Sequence, residues 1–289
     1  MRDSRLLVFG LGYVGCAVAD AAAVAGLAVM GTTRSAAESS NGAVTSIDFT
    51  DAASALAQAT HVLSTVPPDA SGDPALSRHG NALAAAKNLR WIGYLSTTGV
   101  YGDRGGAWVD EETVPAPISA RSRWRLAAED DWRRLADRCA VDIFRLAGIY
   151  GPGRSALDDV RVGKARCVIK PGHAFGRIHR DDIVRAVLAA MNQERTSGAR
   201  ILNLADDEPA ESADVVTEAA RLLDVPPPPA VPFERMIDAM SPMARSFWAE
   251  NRKVSSRRTQ QALGLRWLHP TYREGLRAVL AEERAQGAA

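Results

Sequence analysis

Leu6-Leu7-Val8-Phe9-Gly10-Leu11-Gly12-Tyr13-Val14-Gly15 decides the fold. The four leading apolar residues form a short run closed by glycine, the mark of a strand buried on both faces. Val14 to Ala25 is rich in alanine and predicts a helix, with Gly26 as its C-cap, and Leu27-Ala28-Val29-Met30 supplies the next buried strand. A Gly-x-Gly-x-x-Gly turn between such a strand and such a helix is a dinucleotide-binding pattern. Gly10 permits the tight turn, Gly12 lets the backbone approach a pyrophosphate, Gly15 allows close helix packing, and the helix N-terminus attracts the anion.

The alternation continues along the chain. Strands are predicted at Ala43 to Phe49, His61 to Val66, Trp91 to Ser96, Val141 to Leu146 and Ile201 to Leu204. Helices are predicted near Ala52 to Ala59, Pro74 to Asn88, Ser119 to Cys139, Asp181 to Met191 and Ala213 to Leu223. Repeated strand and helix mean an α/β chain with a Rossmann-type, doubly wound parallel sheet. Gly151-Pro152-Gly153 breaks the pattern. The division read from it is a dinucleotide-binding domain over 1–150, with returning elements near 181–204, and a small, interleaved C-terminal substrate lobe over 151–289. The proline run Pro226 to Pro229 reads as an extended spacer.

The 289 residues fit about two domains. Lys and Arg number 35 against 34 Asp and Glu, a net charge of +1, so the chain has no electrostatic footprint for nucleic acid or an anionic membrane. Leu6 to Met30 carries Asp20 as its only charge and superficially resembles a membrane anchor. The glycines at 10, 12, 15, 26 and 31 and the cost of an unpaired Asp20 in lipid argue against it. Cys16, Cys139 and Cys167 form no CxxC pair, so neither a disulfide framework nor a cysteine zinc site is expected, and a cytoplasmic setting fits. His173 and His179 lack a third ligand at metal spacing, and no HExxH, GxSxG or GxxxxGK[ST] motif occurs. No metal is expected.

The end of the second strand selects the dinucleotide. The chain there reads Gly31-Thr32-Thr33-Arg34, with no acid between Asp20 and Glu38 to meet a ribose 2′-hydroxyl. Arg34 stands where a guanidinium pairs with a 2′-phosphate, which favours NADP over NAD.

The chain resembles the extended short-chain dehydrogenase/reductase superfamily, which contains the NAD-dependent epimerase/dehydratases. The likeness runs through Gly10 to Gly15, Ile47-Asp48-Phe49, Ser96 to Gly102 (STTGVYG), Arg145 to Gly153 (RLAGIYGPG), Ile178 to Asp182, Asn203 to Asp206 and Thr271 to Leu276. It implies a small-molecule substrate and cofactor contacts at Gly10, Gly12, Tyr13, Val14, Gly15, Thr33, Arg34, Asp48 and Thr65, with Asp48 against adenine. It also implies a homodimer through the helices near 74–88 and 119–139, to which Trp124, Trp132 and Leu135 would give apolar surface.

Catalysis is where the sequence departs from the family. Members carry Tyr, three residues and Lys near the start of the helix after the proline loop. This chain reads Arg121-Ser122-Arg123-Trp124-Arg125 there, so Arg121 takes the Tyr place and Arg125 the Lys place. With a pKa above about 12, an arginine cannot exchange a proton as a phenol does. Thr97 matches the residue that hydrogen-bonds a substrate oxygen, Tyr101 stands beside it, and proton delivery falls to water or to Tyr101. The site residues expected for catalysis are therefore Thr97, Tyr101, Arg121 and Arg125. Three activities remain open: an NADP-dependent oxidoreductase on a small carbonyl or alcohol, a nucleotide-sugar epimerase or dehydratase, and a non-catalytic NADP(H) sensor.

Overall fold

The structure is a computed structural model that describes residues 4–34 and 43–287. In chain order its elements are β1 (Arg5–Phe9), α1 (Tyr13–Val24), β2 (Ala28–Thr33), β3 (Val44–Asp48), α2 (Ala52–Gln58), β4 (His61–Ser64), α3 (Pro74–Ala85) and β5 (Trp91–Thr97). There follow β6 (Trp108–Val109), α4 (Ala120–Arg133), β7 (Ala140–Leu146), β8 (Gly148–Tyr150), α5 (Ala156–Arg161), β9 (Cys167–Ile169), β10 (Arg177–His179) and α6 (Arg180–Met191). The last are β11 (Ala199–Leu204), α7 (Ser212–Leu222), β12 (Ala230–Pro232), α8 (Phe233–Met236), α9 (Pro242–Trp248), β13 (Lys253–Val254), α10 (Arg257–Leu263) and α11 (Tyr272–Gly287). The chain divides into two compact units. One takes Met1–Val100, Ala120–Arg145 and Ile183–Leu202; the other takes Tyr101–Ser119, Leu146–Asp182 and Asn203–Ala289.

The first unit is built on a seven-stranded parallel sheet in the order β11-β7-β5-β4-β1-β2-β3, flanked by helices, which is the Rossmann-type arrangement read from the sequence. β1 sits centrally, pairing Leu6 with Val29 on one side and with His61 on the other. Every residue of β4 and β7 is buried, as in strands covered on both faces, with the charges of β7 paired, Asp142 to Arg195 and Arg200, and Arg145 to Glu129, whereas β3 at the sheet edge is half-exposed. The apolar stretch Leu6 to Met30 is thus two strands and a helix. No helix among the described residues is long and apolar enough to cross a membrane. Gly26, at φ +88°, ends α1 as expected, its amide bonding to Ala23 O.

Helices α3 and α4 are held by buried polar groups. Asp73 caps α3 by accepting from the Ala75 and Leu76 amides, and Pro74 takes the first helical position, where its missing N–H costs nothing. The other Asp73 oxygen accepts from Trp132 Nε1 at 3.1 Å. Trp132 is fully buried in the unit's own core, so it corrects the expectation that it offers dimer surface; Leu135 also packs against that core. On α4, Glu129 is fully buried and accepts from Arg145 Nη2 at 2.7 Å, from Arg145 Nε and from Ser96 Oγ at 2.6 Å. One carboxylate therefore ties the helix to β5 and β7.

The second unit uses pairs of very short strands, β8 with β10, β9 with β12 and β6 with β13, and a core of Leu157, Val215, Ala219, Leu276 and Val279. A Cβ on Gly275 would lie 1.9 Å from Tyr150 Oη, so only glycine lets α11 settle on that ring. Strands of two or three residues carry too little periodicity to be read from sequence, which is why none of these was expected.

Glu129→Ala leaves the buried Arg145 guanidinium without its acid, and urea denaturation should register a loss of about 3 to 5 kcal/mol. Burial pushes the His61 imidazole from 6.5 down to about 4. Between those values the unfolded chain takes up a proton that folded His61 refuses, so stability falls as pH drops through that window. His61→Gln should remove part of the fall, read as urea midpoints at about pH 7 and about pH 5.

Candidate functional site

The loop after β1 is set by the close approach of two backbones. Gly10 has φ +91°, and a Cβ on Gly15 would fall 2.0 Å from Gly10 O, so both positions admit only glycine. Thr65, expected as a cofactor contact, latches the loop from β4's end, its Oγ1 donating to Gly10 O at 2.7 Å. Thr32 latches it from β2: Thr32 Oγ1 accepts from the Gly10 amide at 3.0 Å and Thr32 O from the Leu11 amide at 2.9 Å. Sequence reading missed this role of Thr32, and that of Gly31, where a Cβ would lie 2.4 Å from Leu11 Cδ2.

Gly12 is different. It is exposed, and a Cβ there would meet nothing within 4 Å, so the fold itself makes no demand for glycine at this position. Helix α1 begins on it with no side chain capping its first turn and no acid in that turn. An N-terminus left uncapped beside open space fits the pyrophosphate of a dinucleotide. Tyr13 is half-buried and Val14 is buried in the core, so Val14 offers such a ligand its backbone alone.

The ends of β2 and β3 adjoin. Thr33 Oγ1 lies 3.4 Å from Ser46 Oγ, and Arg34, just past β2, is exposed. Glu38 lies outside the described residues. Asp48 accepts from Thr50 Oγ1 at 2.6 Å and from the Thr50 amide at 2.7 Å, and these bonds hold its carboxyl below the usual carboxylate range.

At the end of β5, Thr97 is half-buried and its Oγ1 accepts from the Gly99 amide at 3.1 Å. A Cβ on Gly99 would lie 2.7 Å from Ser122 Oγ and 3.3 Å from Thr97 Oγ1, so the two hydroxyls converge on this glycine. Ser122 was not expected; it became visible only once the first turn of α4 was placed. The two arginines part company. Arg121 is exposed, whereas Arg125 is half-buried, with Nη1 donating to Leu95 O at 2.6 Å and to Tyr94 Oη at 3.2 Å. Tyr101 begins the second unit, is fully buried and donates its hydroxyl to Asn203 Oδ1 at 2.7 Å. That bond engages the hydroxyl within the second unit.

In the second unit His179, Asp181 and His269 place one ligand atom each within 4.8 Å of one another, a grouping hidden in the sequence by the 88 residues before His269. His179 Nδ1 accepts from the Asp181 amide at 3.2 Å, and its Nε2 is buried without a hydrogen-bond partner among the described residues. Phe175 packs its ring against His173 and Trp248, at 4.8 and 4.9 Å between centroids.

No family model matches the chain. A functionally unknown conserved protein from Silicibacter pomeroyi DSS is 42% identical in sequence, superposes with a TM-score of 0.90, and the match covers 96% of this chain and 99% of that one. The human epimerase family protein SDR39U1, solved with NADPH, is 18% identical with a TM-score of 0.78 over 95% and 98% of the two chains. The 3-diazoavenalumate denitrifying reductase of a Streptomyces species is 31% identical over 163 residues, 53% of this chain and 49% of that protein. The chain spans about half the length of the curated relatives it matches. A solved structure described as a putative NAD-dependent epimerase/dehydratase from Methylobacillus flagellatus is 25% identical with a TM-score of 0.74 over 97% and 99% of the two chains, and the chain belongs to the family of the Silicibacter pomeroyi protein.

Proposed function

We propose that the protein is an NADP(H)-dependent oxidoreductase acting on a small carbonyl or alcohol, with an active site in which Arg121 and Arg125 stand in place of the family's Tyr and Lys. The observation that carries the cofactor half is Gly12, open on its side-chain face at the uncapped start of α1. Support for the phosphorylated form comes from Arg34, exposed at the end of β2. Structural neighbours were solved with NADPH or with NAD, and a curated relative is named as a reductase.

When bound, the dinucleotide supplies a hydride donor or acceptor; the chain's own residues orient the substrate oxygen and stabilise charge on it. The Gly99 amide donates to Thr97 Oγ1 at 3.1 Å, which leaves the hydroxyl's own proton to be offered to a substrate oxygen. Arg125, anchored through Nη1 to Leu95 O, brings a permanent positive charge to the same end of the sheet. Oriented donors and fixed charge of this kind stabilise a developing alkoxide. Arg121, exposed one turn earlier, suits an anionic group on the substrate. Tyr101 is committed to Asn203, so water delivers the proton.

The nucleotide-sugar reading loses ground at Phe175. By the resemblance, sugar-nucleotide enzymes tend to place a phosphate-gripping Arg at that position, which here carries a ring packed into an aromatic cluster. The sensor reading predicts cofactor binding with no turnover at all.

NADPH should bind more tightly than NADH by roughly tenfold or more, because a charge-assisted hydrogen bond contributes about 1.5 to 3 kcal/mol, and Arg34→Ala should abolish the difference in a fluorescence titration. Turnover of a carbonyl panel, followed by NADPH absorbance, should fall about tenfold to a thousandfold in Thr97→Val, with cofactor affinity nearly unchanged. A parent protein that binds NADPH but oxidises it with no ketone, aldehyde or nucleotide sugar would convert the reading to the sensor.

A further inference from the structure

The second unit contains a cavity of about 500 Å³ whose wall includes Arg154 and Ser155, Arg177 on β10, Ser212 on α7 and Tyr272 on α11. That volume is in the range of small-molecule sites. Arg177 sets its chemistry. Its Nη1 donates to Phe175 O at 2.9 Å and to Ala210 O at 3.1 Å, which fixes the plane of the guanidinium. Among the described residues its Nε and Nη2 have no hydrogen-bond partner, and no carboxylate oxygen lies within 4 Å of it. A guanidinium drawn into a protein without an acid is costly unless something else brings the negative charge.

The surrounding charges leave that role open. Asp206 acts on Arg177 from a distance, but burial holds its carboxyl well above the usual range, which weakens it as a counter-ion. Asp158 also lines the cavity, yet its carboxylate accepts from the Ser155 amide and Ser155 Oγ at 2.7 and 2.8 Å. Asp159 on α5 and Asp214 in the first turn of α7 are exposed to solvent. Ser212 opens the eleven-residue helix α7, whose start has no side-chain cap because the preceding Glu211 points its carboxylate at the Gly172 amide instead.

We propose that this cavity binds an oxyanion, the carboxylate or phosphate group of a small metabolite, on the Nε and Nη2 edge of Arg177, with the amides at the start of α7 and Arg154 as its further partners. The free edge of the fork offers two parallel donors, the geometry that two oxygens of one anion accept. The helix start adds partial positive charge within reach of its first turn.

The test uses the full ¹⁵N-labelled chain without dinucleotide, titrated with inorganic phosphate and, separately, with malonate, at an ionic strength held constant with sodium chloride. Saturable amide shifts should centre on Ser212, Ala213, Asp214 and Arg154. Arg177→Gln should weaken binding roughly tenfold to a hundredfold, and Arg177→Lys, which keeps the charge but not the fork, by less. A response to phosphate alone identifies a phosphorylated compound, a response to malonate alone a carboxylic acid, and a response to both the shared oxyanion chemistry. Should Arg177→Gln not fold, Arg154→Gln is read in the same way beside the shift map of the parent. No saturable shift beyond that of chloride, shifts centred elsewhere, or equal affinity in parent and variant would overturn the proposal. With no dinucleotide present, the outcome is independent of the activity proposed above.

Discussion

Contact between the Gly15 backbone and Gly10 O is the constraint on which the first unit depends. Because a Cβ on Gly15 would come within 2.0 Å of that oxygen, α1 leaves the end of β1 as steeply as two backbones allow. β1 is an interior strand, paired with β2 on one side and β4 on the other, so the position of α1 is fixed relative to the sheet. The hydroxyls of Thr32 and Thr65 then fasten the turn from β2 and β4. What is left over is the open side of Gly12, a position where glycine serves no packing purpose. Such a residue has its explanation in what comes to it from outside.

A second, electrostatic constraint governs α4. Glu129 takes hydrogen bonds from Arg145 and Ser96 in a fully buried setting, where a charge is tolerated only with a complete set of partners. This bonding sets the register of the helix on β5, and with it the distance at which Ser122 and Arg125 stand from the strand end at Thr97. The active site we propose, with two arginines where the resemblance places a Tyr and Lys pair, rests on this scaffold. It can hold charge and orient an oxygen, but it cannot pass a proton through Arg121.

Much of this was legible in the sequence, for identifiable reasons. The parallel sheet was readable because strands buried on both faces are continuous apolar runs, and the glycine turn because its spacing is dictated by backbone geometry. The need for glycine at 10 and 15 followed from the same logic. Thr32 escaped notice because its work is done by one hydroxyl across two strands, a contact with no local pattern. Trp132 looked like surface because an aromatic on a charged helix carries no label for the direction it faces; its indole points at Asp73 in the core. The bond between Tyr101 and Asn203 had no local signal, because the two residues lie far apart in the chain. The Arg177 cavity was hidden for the same reason, its wall being assembled from four separated segments.

Gly12→Val tests the central claim most directly, read as two numbers on one preparation: the thermal midpoint and the affinity for NADPH by isothermal titration. If Gly12 is open because a pyrophosphate approaches it, the variant unfolds at the parent's temperature and its NADPH affinity falls by roughly a hundredfold or more, since a branched side chain there fills the approach and a charged group loses its hydrogen bonds. A variant that keeps the parent's midpoint and also binds NADPH as tightly as the parent would contradict the account.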